Sequence, residues 1–256
     1  MDLPVNTFKR AIQAGKLQLG LWSILSSHVT VEIIAGAGFD WIVLDTEHAP
    51  NELPMVYSQL QATAAAGSTH PVVRVPWNDM VTIKRYLDIG AQTLLIPTIE
   101  TQQEAENAVA YTRYAPKGVR GFSAAPRANG FGRIKNYATT CEEQICVLLQ
   151  IETRRGLENL EAIAGGEGVD AIFIGPGDLS AALGHVGNPK HPEVTVVIED
   201  TIKRIQACGK PVGILTPDET LAKRYIELGC AFVAVGSDLG ILARGSEQLA
   251  ARIRGG

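Results

Sequence analysis

Two acidic residues follow apolar segments of the chain at points where strands of a parallel sheet would end. Glu152 closes the segment ICVLLQIE, and Asp178 follows AIFIGPG. Segments that are apolar throughout are typical of parallel strands covered on both faces, and active sites in such folds lie at the carboxyl ends of the strands. Carboxylate oxygens are hard ligands that suit Mg²⁺ or Mn²⁺. We therefore predict that both acids converge on one divalent cation.

Local roles for the two acids are the alternatives to this metal site. Asp178 could cap the helix that begins at LSAAL, since aspartate is favoured at the N-cap. Glu152 could instead pair with Arg154 or Arg155, which follow it closely in the chain.

Two further groups at predicted strand ends could bind an anion or transfer a proton. Arg74 ends the segment PVVR, where its guanidinium must find an anion such as a substrate carboxylate or a developing enolate. Asp45 and His48 both belong to the motif DTEH, in which the carboxylate could fix the imidazole tautomer and raise its basicity. The alternatives are a structural ion pair for Arg74 and a loop position satisfied by the backbone for His48.

Other residues at the predicted strand ends complete a set that could surround a substrate. They are Trp22, Ser23, Glu47, Pro97, Gln150, Pro176, Gly177, Leu215, Thr216, Gly236, Ser237 and Asp238. The strand ends carry no lysine that could form a Schiff base and no cysteine, and the sequence has no G-x-S-x-G nucleophile elbow. Stabilising a carbanion would therefore require a metal ion, a cationic side chain, or both.

The elements that must position these residues alternate along the chain. Helix patterns with apolar residues three and four positions apart separate short β-rich apolar segments. The predicted strands are QLGLWSI, WIVLDTE, PVVRVP, TLLIPTI, ICVLLQIE, AIFIGP, PVGILT and FVAVGS. Eight such units in 256 residues predict an α/β protein, a (β/α)8 TIM barrel that forms one domain over residues 1–256. The alternative is an open doubly wound sheet, although no strand opens into a G-x-G-x-x-G turn.

Two segments interrupt this alternation. Residues 117–136, KGVRGFSAAPRANGFGRIKN, contain several glycines and arginines and lie between the fourth and fifth predicted strands. Such a segment is typical of a long ordered loop at a functional rim. Residues 184–192, GHVGNPKHP, form a second insertion after the sixth strand.

Composition excludes several classes of protein. Hydrophobic residues make up 46% of the chain and charged residues 20%, which is a globular composition and not a disordered one. A formal net charge of −4 offers no basic field for a nucleic acid. The four cysteines lack zinc-site spacing, and no segment has the pattern of a membrane span or a signal peptide. We therefore expect a cytoplasmic protein that acts on small molecules, without membrane or nucleic-acid partners.

Seven blocks of the sequence, which together span most of the chain, mostly coincide with the predicted strand ends. They are FDWIVLDTEHAP (39–50), VVRVPWND (72–79), IKRYLDIGAQTLLIPTIET (83–101), YAPKGVRG (114–121), LLQIETRRGLENL (148–160), FIGPGDLSAALG (173–184) and VAVGSDL (233–239). In these blocks and in their order the sequence resembles the HpcH/HpaI family of metal-dependent, pyruvate-class aldolases, and their coincidence with strand ends makes the resemblance specific.

The resemblance implies a reversible cleavage of 4-hydroxy-2-oxo acids to pyruvate, or hydroxypyruvate, and an aldehyde through a metal-stabilised enolate. It implies that Glu152 and Asp178 hold Mg²⁺, Mn²⁺ or Co²⁺ and that Gln150 supports this site. Arg74 and the backbone at Gly177 and Asp178 would bind the keto acid, with Gln150 nearby.

The resemblance also implies a proton-transfer group and an assembly. His48, oriented by Asp45, would remove the proton of the C4 hydroxyl group during cleavage. We also assign Trp22 and Leu215 to substrate binding. The family likeness implies a homohexamer whose last helix is exchanged between subunits, with Asp88 reaching a neighbouring site.

One departure and two rival functions remain. Phe122 and Ser123 stand where smaller or aliphatic residues are expected in relatives that cleave long diacids. The sequence therefore does not fix which aldehyde the protein uses. One rival is a lyase of the citrate-lyase β-subunit type, for which only residues 117–136 offer a surface for coenzyme A. The other is a non-catalytic barrel that binds a keto acid.

Overall fold

Parallel strands form a closed barrel in the computed structural model, which describes residues 1–255. Within these residues eight strands follow one another around the barrel in chain order, and β8 pairs with β1 to close it. The strands are β1 (Gln18–Ser23), β2 (Trp41–Asp45), β3 (His70–Arg74), β4 (Thr93–Ile96), β5 (Cys146–Ile151), β6 (Ala171–Ile174), β7 (Val212–Leu215) and β8 (Phe232–Ser237). Each strand overlaps one of the predicted segments, so the predicted (β/α)8 barrel is confirmed.

Helices return the chain from the carboxyl end of each strand to the start of the next. Residues 1–255 contain α1 (Thr7–Gln13), α2 (His28–Ala35), α3 (Leu53–Ala66), α4 (Met80–Asp88), α5 (Gln102–Thr112), α6 (Tyr137–Thr140), α7 (Arg154–Glu158), α8 (Leu160–Ala164), α9 (Pro176–Ala182), α10 (Pro192–Ala207), α11 (Glu219–Glu227) and α12 (Asp238–Arg254). Among the helices of residues 1–255, none combines the length and apolar character that crossing a bilayer requires.

Strand side chains alternate between the barrel interior and the surrounding helices. In β2, Trp41 belongs to the inner cluster, and Ile42 belongs to the cluster between strands and helices. Phe8 of α1 lies with its ring centroid 5.6 Å from that of Trp41 and 5.5 Å from that of Phe232. The interior is therefore a packed core closed by α1 at the amino ends of the strands, which leaves the carboxyl ends as the open face. We call that face the barrel mouth.

The long segment 117–136 lies at the end of the barrel opposite to the predicted one. It follows α5, which returns the chain to the amino ends of the strands. Arg127 donates a hydrogen bond to the carbonyl oxygen of Ile89 at 2.7 Å, and Arg120 donates to Asp88 at 2.9 Å, both at the end of α4. The segment therefore does not border the barrel mouth of its own chain, as the prediction of a functional rim required, because α5 reverses the direction of the chain before the segment begins.

The second insertion, residues 184–192, lies on the side of the barrel mouth. It follows α9, the short helix directly after β6, and leads into α10. Lys190 within it forms an ion pair with Asp218, the N-cap residue of α11 after β7. The insertion is therefore anchored between two loops that follow strand ends.

Candidate active site

Glu152 follows β5 directly and is buried, with 3% of its surface exposed. Its Oε1 atom accepts hydrogen bonds from the backbone N–H of Thr98 at 2.9 Å and from the Thr98 hydroxyl at 3.0 Å. Its Oε2 atom accepts from the side-chain amide of Gln150. Arg154 and Arg155 pair elsewhere, so the alternative of a local salt bridge is wrong.

Thr98 is a site residue that the sequence pattern did not reveal. Its φ of 53° lies in the left-handed region, which a β-branched residue rarely adopts. Both of its donors reach the same oxygen of Glu152. The loop after β4 is therefore shaped to hold this carboxylate, although nothing in the local sequence signals a positive φ at a threonine.

Asp178 stands in the first turn of α9 and is exposed at the barrel mouth. The N-cap position of this helix is Gly175, so the alternative in which Asp178 caps the helix is wrong. A Cβ atom at Gly175 would collide with Oε2 of Glu152 and would lie 3.2 Å from the amide nitrogen of Gln150. The backbone between β6 and α9 thus passes close against the buried carboxylate.

Four carboxyl groups share this region with one guanidinium. Burial is the main cause that raises the pKa of Glu152, and the charge of Asp178 raises it further. Burial also raises the pKa of Glu47 to about 7; Arg74 opposes this shift, whereas Glu152, Asp45 and Asp178 add to it. The sequence places Glu47 among the residues that follow predicted strands. Its proximity to the other three carboxyl groups depends on how several strands pack together. The excess negative charge is what a divalent cation would neutralise.

Arg74 is held in a fixed plane at the end of β3. Its Nε and Nη2 atoms donate to the two carboxylate oxygens of Asp45 at 2.8 and 2.6 Å, and Asp45 is 1% exposed. Its Nη1 atom lies 2.9 Å from Oε2 of Glu47. The guanidinium carbon lies 5.2 Å from the centroid of the Trp22 ring. Arg74 therefore forms the structural ion pair that the sequence left as an alternative, and this ion pair fixes its guanidinium at the barrel mouth.

His48 lies in the loop after β2, with 64% of its side chain exposed. Its imidazole Nε2 atom lies 3.9 Å from Oε1 of Glu47. Asp45 accepts from the backbone N–H of His48 at 3.4 Å, and its side chain pairs with Arg74. The structure therefore differs from the expectation that Asp45 orients the imidazole, because the carboxylate faces the guanidinium of Arg74 and contacts His48 through the backbone N–H.

The donor atoms around Glu152 fit a hard divalent cation. Glu152 and Asp178 offer carboxylate oxygens whose mutual repulsion a cation would relieve. The Oε1 atom of Gln150 is buried and has no hydrogen-bond partner among residues 1–255. A buried carbonyl oxygen without a donor suits a cation or the water that a cation carries. Because all of these donors are oxygens, the set favours Mg²⁺ or Mn²⁺ over softer metals.

A cavity of about 330 Å³ adjoins this region on the side of β1 and β8. Trp22 and Leu215, both assigned to substrate binding from the sequence, lie in its wall. Trp22 also contacts the guanidinium of Arg74, so the cavity and the charged group share one side chain. The cavity is lined by Trp22, Ile24, Leu215, Pro217, Val235, Gly236, Ser237, Gly240, Ile241 and Arg244.

Asp88 lies far from this group along the fold. It ends α4 near the amino ends of the strands and accepts a hydrogen bond from Arg120 at 2.9 Å. Within one chain it belongs to the opposite end of the barrel, and its role at a neighbouring subunit stays a prediction.

Comparisons with known proteins place the chain in a family. The family described as HpcH/HpaI aldolase/citrate lyase matches residues 18–244. A pyruvate aldolase of Rhizobium etli is 58% identical over 252 residues, covering 98% of this chain and 99% of that protein. A hydroxypyruvate/pyruvate aldolase of Pseudomonas aeruginosa is 53% identical and covers 100% of this chain and 96% of its own.

A third relative is named for a larger substrate. The 4-hydroxy-2-oxo-heptane-1,7-dioate aldolase of Salmonella heidelberg is 55% identical over 248 residues, covering 96% of this chain and 94% of that protein. The family model spans all eight strands of the barrel, from β1 to β8. The chain therefore belongs to the HpcH/HpaI aldolase/citrate lyase family.

Proposed function

We propose that this protein is a divalent-metal-dependent aldolase that reversibly cleaves 4-hydroxy-2-oxo acids to pyruvate, or hydroxypyruvate, and an aldehyde. The observation that carries the proposal is the group of Asp45, Glu47, Glu152 and Asp178 around the guanidinium of Arg74. A pocket rich in anionic oxygens beside one fixed cation suits a metal ion together with an anionic keto acid. The names of the three relatives support this class of substrate.

Glu152 and Asp178 would hold the metal ion. Gln150 and Thr98 would support the site by fixing the two oxygens of Glu152. Mg²⁺, Mn²⁺ or Co²⁺ would suit these ligands, and the bound ion would supply Lewis acidity at the ketone of the keto acid.

Arg74 would bind the keto acid and stabilise the negative charge of its enolate. Asp45 fixes the plane of the guanidinium with two hydrogen bonds, and arginine has more N–H donors than these two bonds use. The backbone N–H groups of Gly177 and Asp178 would add donors, because the first turn of a helix leaves such groups without an intrahelical partner. The keto acid would thus lie between Arg74 and the start of α9.

His48 would move the proton of the C4 hydroxyl group. Its exposed ring can reach a substrate at the barrel mouth, and Glu47 is the carboxyl group that lies beside it. Deprotonating this hydroxyl promotes cleavage of the bond between C3 and C4, and returning the proton to the aldehyde oxygen completes the reverse condensation. Trp22 and Leu215 would border the aldehyde, since they line the adjoining cavity.

The last helix supports an assembly of several copies. α12 has 17 residues, and apolar side chains along it are exposed, among them Leu242 at 57%, Leu249 at 54% and Ile253 at 81%. Such a helix suits exchange between subunits, and we propose the homohexamer implied by the family likeness. Asp88 would then reach the site of a neighbour.

The position of residues 117–136 argues against the rival acyl-CoA lyase. That segment was the one surface proposed for coenzyme A, and it lies at the amino ends of the strands, away from Glu152. The aldolase names of the three relatives argue against the other rival, a non-catalytic barrel.

Chelation and reconstitution test the proposed function. Protein stripped with EDTA should release no pyruvate from a 4-hydroxy-2-oxo acid, and Mg²⁺, Mn²⁺ or Co²⁺ should restore release. Glu152→Gln should abolish the restoration, whereas Glu158→Gln, a change at an exposed position of α7, should not. Activity that persists in EDTA, or a pyruvate adduct trapped by borohydride, would contradict the proposal, since a trapped adduct indicates a lysine Schiff base.

A further inference from the structure

We propose that His185, His191 and Glu193 form a second metal site, one that takes a borderline divalent cation such as Zn²⁺ or Ni²⁺. The three residues lie beside the barrel mouth, where residues 184–192 join α9 to α10. Two imidazoles and one carboxylate are the ligands that zinc uses in sites with an open position. Glu152 and Asp178 offer only oxygens, so the two sites differ in the metals they prefer.

The ligand atoms of the three residues already lie together. One nitrogen or oxygen from each of them falls within 4.8 Å of the others. The imidazole rings are stacked with centroids 3.6 Å apart and an interplanar angle of 14°. Nε2 of His185 lies 2.8 Å from Oε2 of Glu193. Nε2 of His185 and Oε2 of Glu193 therefore already lie at least as close as neighbouring ligands of one ion, and rotation of the His191 side chain toward them would complete the site.

Backbone hydrogen bonds hold the ligand-bearing loop in place. The backbone N–H of His185 donates to the carbonyl oxygen of Ser180 in α9 at 2.7 Å. The carbonyl oxygen of His185 accepts from the backbone N–H of Asn188 at 2.9 Å. The N–H of His191 donates to the carbonyl oxygen of Asn188 at 3.1 Å. Because the loop is ordered before a metal arrives, the entropy lost on binding is small.

The existing roles of these side chains do not prevent metal binding. Nδ1 of His191 accepts from the backbone N–H of Glu193 at 3.3 Å, which is a long N-cap hydrogen bond. Glu193 is largely exposed, with 75% of its side chain accessible, and can turn toward an ion. Its 2.8 Å contact with His185 is largely exposed to solvent, where an ion pair contributes little to stability, so a cation can replace it.

A metal ion here would tie α9 to α10. His185 follows α9, the helix whose first turn carries Asp178, and the other two ligands begin α10. Bound zinc would therefore stabilise this connection without entering the proposed catalytic site.

The test compares zinc binding by a double variant with that of the unchanged protein. His185→Gln and His191→Asn remove both imidazoles, and asparagine keeps an N-cap side chain for α10. His28→Gln is the matched control, since His28 is an exposed histidine at the start of α2. Zn²⁺ is titrated by calorimetry into each protein with Mg²⁺ in excess.

We expect the double variant to lose one equivalent of zinc or to bind it at least tenfold more weakly, with His28→Gln unchanged. Glu193→Gln, which alters one exposed ligand, should weaken the same binding and provides a second variant whose folding is not in question. In thermal unfolding, Zn²⁺ at about 100 times its Kd should raise the Tm of the unchanged protein by about 5 °C and that of the double variant by less.

Two results would overturn the proposal. The first is equal zinc stoichiometry and affinity in the double variant and the unchanged protein. The second is loss of the zinc equivalent in Glu152→Gln alone, which would place the ion among the oxygens of the proposed catalytic site. The readout is binding, so failure of the proposed aldolase activity would leave this test intact.

Discussion

Gly175 stands where an added methyl group would strike the carboxylate of Glu152. A Cβ atom there would collide with Oε2 and lie 2.9 Å from the Cβ atom of Glu152. The backbone itself tolerates alanine, since φ is −94° and ψ is 90°. Gly175→Ala therefore changes the proposed metal site through steric contacts with Glu152, without removing a ligand.

The expected loss of metal affinity in Gly175→Ala follows from how little metal–ligand distances can vary. Relief of the collision requires Oε2 to move by on the order of 1 Å, because carbon and oxygen atoms pack at about 3.5 Å. Metal–ligand distances hold within about 0.2 Å. Displacing one supported ligand in this way typically weakens metal binding by about 10–100-fold. Overpacking should also lower the free energy of unfolding by about 1–3 kcal/mol.

Gly177→Ala provides the matched control for this prediction. It makes the same chemical change in the first turn of α9, and a Cβ atom at Gly177 meets nothing within 4 Å. Mn²⁺ affinity, measured by electron paramagnetic resonance on EDTA-stripped protein, should fall in Gly175→Ala and stay near that of the unchanged protein in Gly177→Ala. Equal Mn²⁺ affinity in the two variants would refute the assignment of Glu152 as a ligand held against this backbone.

Three further predictions concern the charged groups at the barrel mouth. Arg74→Ala should abolish deuterium exchange at the pyruvate methyl group while Mn²⁺ still binds, and normal exchange would remove Arg74 from the mechanism. His48→Ala should slow aldol cleavage by about 10²–10⁴-fold with little change in Mn²⁺ affinity, and unchanged turnover would leave His48 a surface residue. Glu47, with its pKa raised to about 7 in the folded protein, stabilises the metal-free fold at pH values below its ordinary pKa of 4.5, and this contribution is lost as the pH rises through 7. The shift corresponds to about 3 kcal/mol at full burial and to about 1–2 kcal/mol for this partly buried group. Urea unfolding in EDTA at pH 4.5 and pH 8 should show that difference relative to Glu47→Gln, and parallel pH profiles would contradict it.

Local patterns in the sequence were enough to predict the barrel and the approach of Glu152 and Asp178 at its mouth. The apolar segments that became β5 and β6 end just before Glu152 and Asp178, and all strands of a parallel barrel point the same way. Side chains that follow those strands must therefore share one face. The charge of Asp178 contributes to the raised pKa of Glu152, as expected of two acids at one barrel mouth.

The partner of Asp45 depends on strand register and not on sequence distance. His48 is the nearer residue along the chain, and the sequence favoured it as the group that the carboxylate orients. In the barrel, Asp45 of β2 pairs in register with Arg74 of β3. Residues in register on neighbouring strands point to the same face, so the guanidinium reaches both oxygens while the imidazole turns toward solvent.

The sequence by itself determined the order of strands and helices, and with it which residues stand at strand ends. Tertiary structure decided which of those residues share charge and hydrogen bonds, as with Glu47 and with Thr98 at its positive φ. It also decided that residues 117–136 lie at the closed end of the barrel. The physical reason is range: hydrophobic periodicity acts over a few neighbouring residues, whereas ion pairs and pKa values depend on distances in space between segments remote in the chain.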